Sequence, residues 1–300
     1  MNPLEAMQVE IECQLQDLQK QNLPRPDRNC LFVGSGDSYV AGLAAYHVSA
    51  GRALCCYPTD IIRNPSMING RNVYVVSISG NTKANILAAK IAKRNGANTT
   101  AVTARPASKL AKVCDRTIEL KYRIAGVTTS GTTSFTSSML VCASLATKIS
   151  LPANIDRIYG ETKGRAEKAV GKINSGTYFI LGDGILYPVT IYGALKFNEV
   201  FGAKAIAYPA EEFCHSPLFS LKKGDNVIVM GNKQLDKRLR NEGFSSLHVD
   251  LKCEGIGLLL ESTFFIQFLV LKLAQRRGLT SCYFLRNKRL LRTSSDFIYG

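Results

Sequence analysis

Two groups of residues have the types and spacing for chemistry. Between Asn72 and Asn85 an apolar run rich in β-branched residues stops abruptly in Ser77, Ile78, Ser79, Gly80, Asn81 and Thr82, and a helical pattern follows. A helix N-terminus leaves backbone N–H groups unpaired and carries a partial positive charge, and small hydroxyl side chains add donors without bulk. The turn therefore suits an anion, phosphate above all, but the same residues equally suit an ordinary N-cap and tight turn. Farther along, Lys196 and Glu199 lie three apart and so share one face of a helix spanning about Pro188 to Phe201. Such a pair is commonly a solvated ion pair. Near a phosphate it has another use, because lysine neutralises substrate charge and a carboxylate shielded from water serves as a base. The stretch Tyr208 to Leu218, YPAEEFCHSPL, sets His215 among Glu211 and Glu212 in what reads as a loop, with Pro217 discouraging a helix.

These residues need elements to hold them. Cys30 to Gly34 reads as a short buried strand, Ser35 to Asp37 as a turn, and Ser38 to about Ser49 as a helix of small residues. Strand and helix patterns then alternate to a helix over Ser134 to Ser150, the arrangement of a doubly wound parallel sheet with right-handed crossovers. In such sheets ligands sit beyond the carboxyl ends of the strands. The turns Ser35 to Ser38, Ser77 to Thr82 and the loop Val127 to Thr133 are therefore expected to face one pocket. Pro152 to Asp156 reads as a linker and Tyr159 to Asn174 as a connecting helix, after which the pattern restarts. LFVGSG at Leu31 to Gly36 can be laid on FILGDG at Phe179 to Gly184, and NVYVV at Asn72 to Val76 on NVIVM at Asn226 to Met230. Two related halves follow, chemically unequal: after its second matched strand the later half has Gly231, Asn232, Lys233 and Gln234 in place of the hydroxyl-rich turn.

Composition narrows the function classes. With 300 residues, 46% hydrophobic and 20% charged, the chain can bury a substantial core. The net charge of +15 attracts anions, but its basic residues are dispersed and no nucleic-acid motif accompanies them. Steering of small phosphorylated substrates, or a merely solvated basic surface, is the milder inference, and nucleic acid is not expected as a partner. The nine cysteines form no C-x-x-C pair and read as reduced thiols, and three histidines make a histidine metal site a poor expectation. The most apolar late stretch, Ile256 to Leu273, holds Glu261, Gln267 and Lys272, and the N-terminus has Glu5, Glu10 and Glu12 where a signal peptide would be basic and then apolar. No membrane association and a cytoplasmic location are expected.

Taken together, GSGDSYVAG at Gly34 to Gly42, SISGNT at Ser77 to Thr82, YGALKFNEV at Tyr192 to Val200 and AYPAEEFCHSPL at Ala207 to Leu218 resemble the sugar isomerase (SIS) domain family, in the double-SIS form of the isomerase half of glucosamine-6-phosphate synthase. The resemblance implies two tandem flavodoxin-like α/β subdomains, each a parallel sheet flanked by helices. It divides the chain into an N-terminal helical arm (1–28), a first SIS domain (29–151), a linker and connecting helix (152–176), a second SIS domain (177–282) and a C-terminal tail contributing to the active site (283–300). It implies that Ser38, Ser77, Ser79 and Thr82, with the backbone of Ile78, bind a sugar phosphate, and that Ser35, Gly36, Val127 and Thr129 line the sugar. Glu199 is then expected to move the proton between C1 and C2, Lys196 to support the open-chain intermediate, and His215 to assist ring opening. No metal or organic cofactor is implied, and a homodimer is. Fructose 6-phosphate and glucosamine 6-phosphate are typical substrates of such proteins, by isomerisation or by amination or deamination.

Three departures qualify these expectations. Asn2 follows Met1 where the synthase's glutaminase has its cysteine, so no glutamine hydrolysis is expected. The residues around His215 differ from the family's pattern. Arg292, in RLLRTSSDF, stands in the place of a C-terminal catalytic lysine; arginine can clamp an anion but does not form an imine.

Overall fold

Short apolar runs become parallel strands when helices cover both their faces, and here they build two separate all-parallel sheets. The computed structural model describes residues 1–300. In chain order its elements are α1 (Pro3–Lys20), β1 (Cys30–Val33), α2 (Asp37–Val48), β2 (Leu54–Cys56), α3 (Pro58–Arg63), β3 (Asn72–Val76), α4 (Lys83–Arg94), β4 (Thr99–Thr103), α5 (Lys109–Val113), β5 (Arg116–Glu119), α6 (Thr133–Ala146), α7 (Ile155–Ala169), β6 (Tyr178–Leu181), α8 (Tyr187–Phe201), β7 (Ala205–Tyr208), α9 (Ala210–His215), β8 (Asn226–Met230), α10 (Lys233–Asn241), β9 (Ser245–Val249), α11 (Gly255–Arg276), α12 (Tyr283–Arg286) and α13 (Lys288–Tyr299). Two compact units partition them: Gln16–Arg123 with Thr133–Ser150 and Asn287–Gly300, and Met1–Leu15 with Ile124–Thr132 and Leu151–Arg286.

The first of these, the five-stranded unit, has the order β2-β1-β3-β4-β5, the flavodoxin-like winding. Leu31, Val33, Val73, Val75 and Ala101 turn one way, onto Ile61 of α3, the Ala88, Ala89 and Ala92 stripe of α4, and Leu110 of α5. Phe32, pointing the other way, meets α2, where a Cβ on Gly42 would stand 2.7 Å from that of Phe32. Small residues on α2 therefore set how closely the helix approaches the sheet. α6 packs along α2 and is buried over most of its length, while α13 lies on α4.

The four-stranded unit repeats the winding with one strand fewer, β7-β6-β8-β9. The two sequence matches fall on corresponding strands, since β1 pairs with β3 as β6 pairs with β8. Phe179, Leu181, Val227 and Val229 face Ala210 and Phe213 of α9 and Leu239 of α10. On the opposite face Gly193 of α8 fits between Ile180 and Ile266, close to both side chains. The core helix α11 is long and apolar enough to cross a membrane by length and composition, but 83% of its most apolar window is buried inside the protein. Its polar residues have partners: Glu261 accepts from Arg165, Gln267 donates to Thr132 O (3.1 Å), and Lys272 pairs with Glu167 (2.8 Å).

Two local expectations differ from the structure. The linker placed at Pro152 to Asp156 already contains the start of α7, because Ile155 and Ile158 are buried positions of its apolar face. His215, expected in a loop, is the last residue of α9, with Ser216 as C-cap ahead of Pro217.

Candidate functional site

In the five-stranded unit the Ser77 to Thr82 turn leaves β3 and enters α4. It is pinned to its neighbours by backbone atoms. Ser77 N–H donates to Val102 O (2.9 Å), Gly80 N–H to Ser77 O (3.1 Å), Leu110 N–H to Gly80 O (2.9 Å), and Ile78 O accepts from Ala104 N–H (3.2 Å). Gly80 takes φ of 61°, and a Cβ there would stand 2.1 Å from Ser108 Oγ. Gly80→Ala is therefore expected to lower stability by about 1–3 kcal/mol, read as an earlier urea midpoint. Thr82 is the N-cap of α4 but makes no side-chain capping bond, whereas Asn232, at the corresponding place in the other sheet, accepts from Leu235 N–H at 3.0 Å. The first intrahelical bond of α4 is Ile86 N–H to Thr82 O (3.1 Å), so the amides of its first turn precede the ladder. A helix start with hydroxyls not used for capping is a suitable cradle for an anion.

The turn after β1 lies next to this one, because β1 and β3 are adjacent parallel strands. Gly36 has φ of 57°, and Ser38 N–H donates to Ser35 O (3.2 Å). Ser35 and Gly36 are exposed, while Ser38 and Ser77 are nearly buried. The structure thus brings Ser35, Gly36, Ser38, Ser77, Ile78, Ser79 and Thr82 to the carboxyl ends of two adjacent inner strands of the five-stranded sheet.

The second group lies in the four-stranded unit. On α8 the buried stripe runs through Tyr192, Gly193, Lys196, Phe197 and Val200, so Lys196 is a core position and only 1% exposed. This disposes of a solvated surface pair. Lys196 Nζ donates to Glu199 Oε2 at 2.7 Å and stands 5.2 Å from the centre of the Tyr192 ring. Burying an ammonium costs several kcal/mol, which the carboxylate and ring face offset. Ser130 Oγ donates to the same Glu199 Oε2 at 2.6 Å. The Glu199 side chain is 35% exposed, with one oxygen held by two donors and its other oxygen making no hydrogen bond to the protein. This is the geometry of a fixed base with a reachable oxygen.

The loop that brings Ser130 is itself anchored. Tyr192 Oη donates to Gly131 O (2.9 Å) and Gln267 Nε2 to Thr132 O (3.1 Å). The hydroxyls of Thr129 (3.0 Å) and Thr132 (3.2 Å) both donate to Glu10 Oε2. Burial pushes the Glu10 carboxyl above its ordinary value, against these hydrogen bonds. Cys282 is fully buried against the same loop; burial raises its thiol, while a hydrogen bond from the Ser130 backbone opposes.

Of the residues expected from sequence, Lys196 and Glu199 are in direct contact. Val127 is half-buried in the loop, and the Thr129 hydroxyl has two acceptors in reach, Glu10 Oε2 at 3.0 Å and Ser130 O at 3.2 Å. His215 is exposed at the end of α9 in the same unit as Glu199, and Arg292 is exposed on α13 in the five-stranded unit. Sequence reasoning missed Ser130, Glu10 and Cys282. The run TTSGTT signalled a polar loop, but nothing local pairs its serine with a carboxylate 69 positions away.

A family model for the SIS domain matches residues 25–148. These residues resemble a SIS domain. The matched stretch comprises all five strands of the first sheet together with α6 and ends before α7. Over a longer stretch the chain is 27% identical to glutamine–fructose-6-phosphate aminotransferase (isomerizing) of Sulfurisphaera tokodaii, covering 70% of this chain and 38% of that protein. It is 28% identical to the enzyme of the same name from Clostridium acetobutylicum, covering 70% and 39%. The chain thus spans about two fifths of the length of these relatives.

Solved structures share the double-sheet fold of which the matched stretch is part. The C-terminal domain of glucosamine-fructose-6-phosphate aminotransferase from Francisella tularensis aligns with a TM-score of 0.71 at 19% identity, covering 92% of this chain and 95% of that one. Glucosamine-6-phosphate deaminase from Thermotoga maritima aligns at 0.70 with 24% identity, covering 92% and 96%. Tagatose-6-phosphate ketose/aldose isomerase from Escherichia coli aligns at 0.67 with 17% identity, covering 93% and 89%.

Proposed function

We propose that this chain is a phosphosugar isomerase-type enzyme acting on a hexose or hexosamine 6-phosphate, by aldose–ketose isomerisation or by amination or deamination at C2. The observation that carries the reading is the Lys196–Glu199–Ser130 cluster, a half-exposed carboxylate with one oxygen fixed by a buried ammonium and a hydroxyl. In this reading Ser77, Ser79 and Thr82, with the first-turn amides of α4, hold the phosphate. The free Glu199 oxygen removes a proton from C2 of the open-chain aldose, giving an enediolate with its charge on O1. The O2 hydroxyl proton passes to O1, the C2–O2 carbonyl forms, and Glu199 returns its proton to C1; the ketose runs the reverse course. Lys196, held against the carboxylate, offsets negative charge that develops beside it. His215 serves ring opening, Arg292 supplies positive charge from α13, and the enzyme works as a homodimer. The net charge of +15 draws the anionic substrate in.

The sugar-phosphate names of relatives that share this fold support the substrate class, and the choice of sugar and of reaction rests on a direct assay. A panel of fructose, glucose, mannose and glucosamine 6-phosphates, each with and without ammonia, is expected to yield at least one interconversion, read as product sugar and ammonia. Binding without conversion across the panel would overturn the enzymatic reading in favour of a sugar-phosphate sensor. Ser79→Ala and Thr82→Ala are each expected to weaken binding of the productive sugar phosphate about tenfold, as loss of a hydrogen bond to a charged group predicts. Calorimetry with the phosphorylated and the unphosphorylated sugar checks this, since only the former should respond.

A further inference from the structure

We propose that Glu10, on the N-terminal helix α1, is a positioning residue for Glu199 and acts through the loop Ile124–Thr132; the inference rests on the reading of Glu199 as the base. Glu10 is 8% exposed. One of its oxygens accepts from the hydroxyls of Thr129 (3.0 Å) and Thr132 (3.2 Å), and the other from the Ala125 backbone N–H (3.5 Å). Those donors flank Ser130, whose hydroxyl holds Glu199 Oε2 at 2.6 Å. The residues between Ala125 and Thr132 form no helix or strand, so no ladder of their own fixes where Ser130 stands. Their position depends on anchors from other elements, and Glu10 ties both ends of the segment to a single buried point. Hydrogen bonds to a carboxylate are roughly twice as strong as neutral ones, and the Thr132 hydroxyl that makes one of them is buried.

The functional consequence follows from the geometry of the base. Glu199 Oε2 is fixed by two donors only, Lys196 from its own helix and Ser130 from the loop. Without Glu10 the loop keeps the bonds from Tyr192 to Gly131 O and from Gln267 to Thr132 O but loses its ties at Ala125, Thr129 and the Thr132 hydroxyl. Ser130 then shifts, and the carboxylate it holds turns about its side-chain torsions. A displacement of about 1 Å in a reacting group can cost on the order of 100-fold in rate. Substrate affinity, which this reading assigns to Ser77, Ser79 and Thr82, should not change.

The test uses the full chain in five forms: wild type, Glu10→Ala, Glu10→Gln, Ser130→Ala and the Glu10→Ala/Ser130→Ala double variant. In the ligand-free protein the side-chain carboxyl ¹³C resonance of Glu199, assigned by its loss in Glu199→Gln, is expected to move in the same direction in Glu10→Ala as in Ser130→Ala. The double variant should coincide with Ser130→Ala. On the productive sugar phosphate, both single Ala variants are expected to lower kcat about 10- to 100-fold with KM unchanged, and the double variant to be no slower than Ser130→Ala. Glu10→Gln should recover most of the loss, because one amide oxygen can still accept both threonine hydroxyls. A Glu199 resonance that stays at its wild-type position in Glu10→Ala, or losses that multiply in the double variant, would overturn the proposal. If the wild-type protein converts no sugar phosphate, the functional reading fails while the resonance still decides whether Glu10 positions Glu199.

Discussion

Glu199→Gln is expected to lower kcat on the productive sugar phosphate by about 100- to 10,000-fold, the range that a positioned general base supplies. The substitution is nearly isosteric. Its amide oxygen can still accept from Ser130 and Lys196, which reach a single carboxylate oxygen at 2.6 and 2.7 Å, so fold and loop should persist. What it removes is the lone pair able to take a carbon-bound proton at the exposed oxygen. KM should therefore stay close to the wild-type value, the pattern of an interaction made in the transition state rather than the ground state. A variant that loses kcat and affinity together would instead point to a binding role for Glu199.

Arg165→Ala is expected to lower the stability of the four-stranded unit by about 3–5 kcal/mol, the cost of leaving a buried partner charge uncompensated. Arg165 of α7 donates to Glu261 of α11, to Thr162 Oγ1 at 2.8 Å and to the Asp250 carbonyl, while Glu261 also accepts the Lys252 and Cys253 amides at 2.9 Å. Glu261 is 1% exposed. Burial alone would raise its carboxyl, but Arg165 and the two amides outweigh burial and hold it below the usual 4.5. A depressed folded value contributes stability that is present above about pH 4.5 and is lost as pH falls through the folded value. Urea midpoints should accordingly drop on acidification in the wild type and drop less in Arg165→Ala. The double variant Arg165→Met/Glu261→Gln, which removes the charge from both partners, should regain most of the lost stability.

The sequence showed what is local. The hydroxyl turn was readable because strand end, small residues and helix start follow one another from Asn72 to Arg94, and the Lys196–Glu199 contact because helical spacing puts both residues on one face. The two-sheet fold was readable because β1 and β3 have counterparts in β6 and β8 with like residues. Glu261, Gln267 and Lys272 argued from the sequence against a membrane span; each has a partner in the structure, and the core those partners complete was not foreseeable. Contacts across long separations were also hidden. Ser130 meets Glu199 across 69 positions, and Glu10 meets Thr129 and Thr132 across 119 and 122. The final residues, expected as a tail, form α12 and α13. Asn287 caps α13 by accepting from Leu290 N–H at 3.2 Å, a start signal the sequence offered and that motif-based reading passed over.

The most direct test of the base assignment is solvent proton exchange. Fructose 6-phosphate and glucose 6-phosphate, and then the rest of the hexose and hexosamine phosphate panel, are incubated with the protein in D₂O and followed by ¹H NMR at C1 and C2. Deuterium is expected to enter C1 of a ketose or C2 of an aldose with wild-type protein, at a rate at least about 100-fold higher than with Glu199→Gln. Binding of these sugar phosphates with no exchange at either carbon, or exchange at the same rate in Glu199→Gln, would contradict the base assignment.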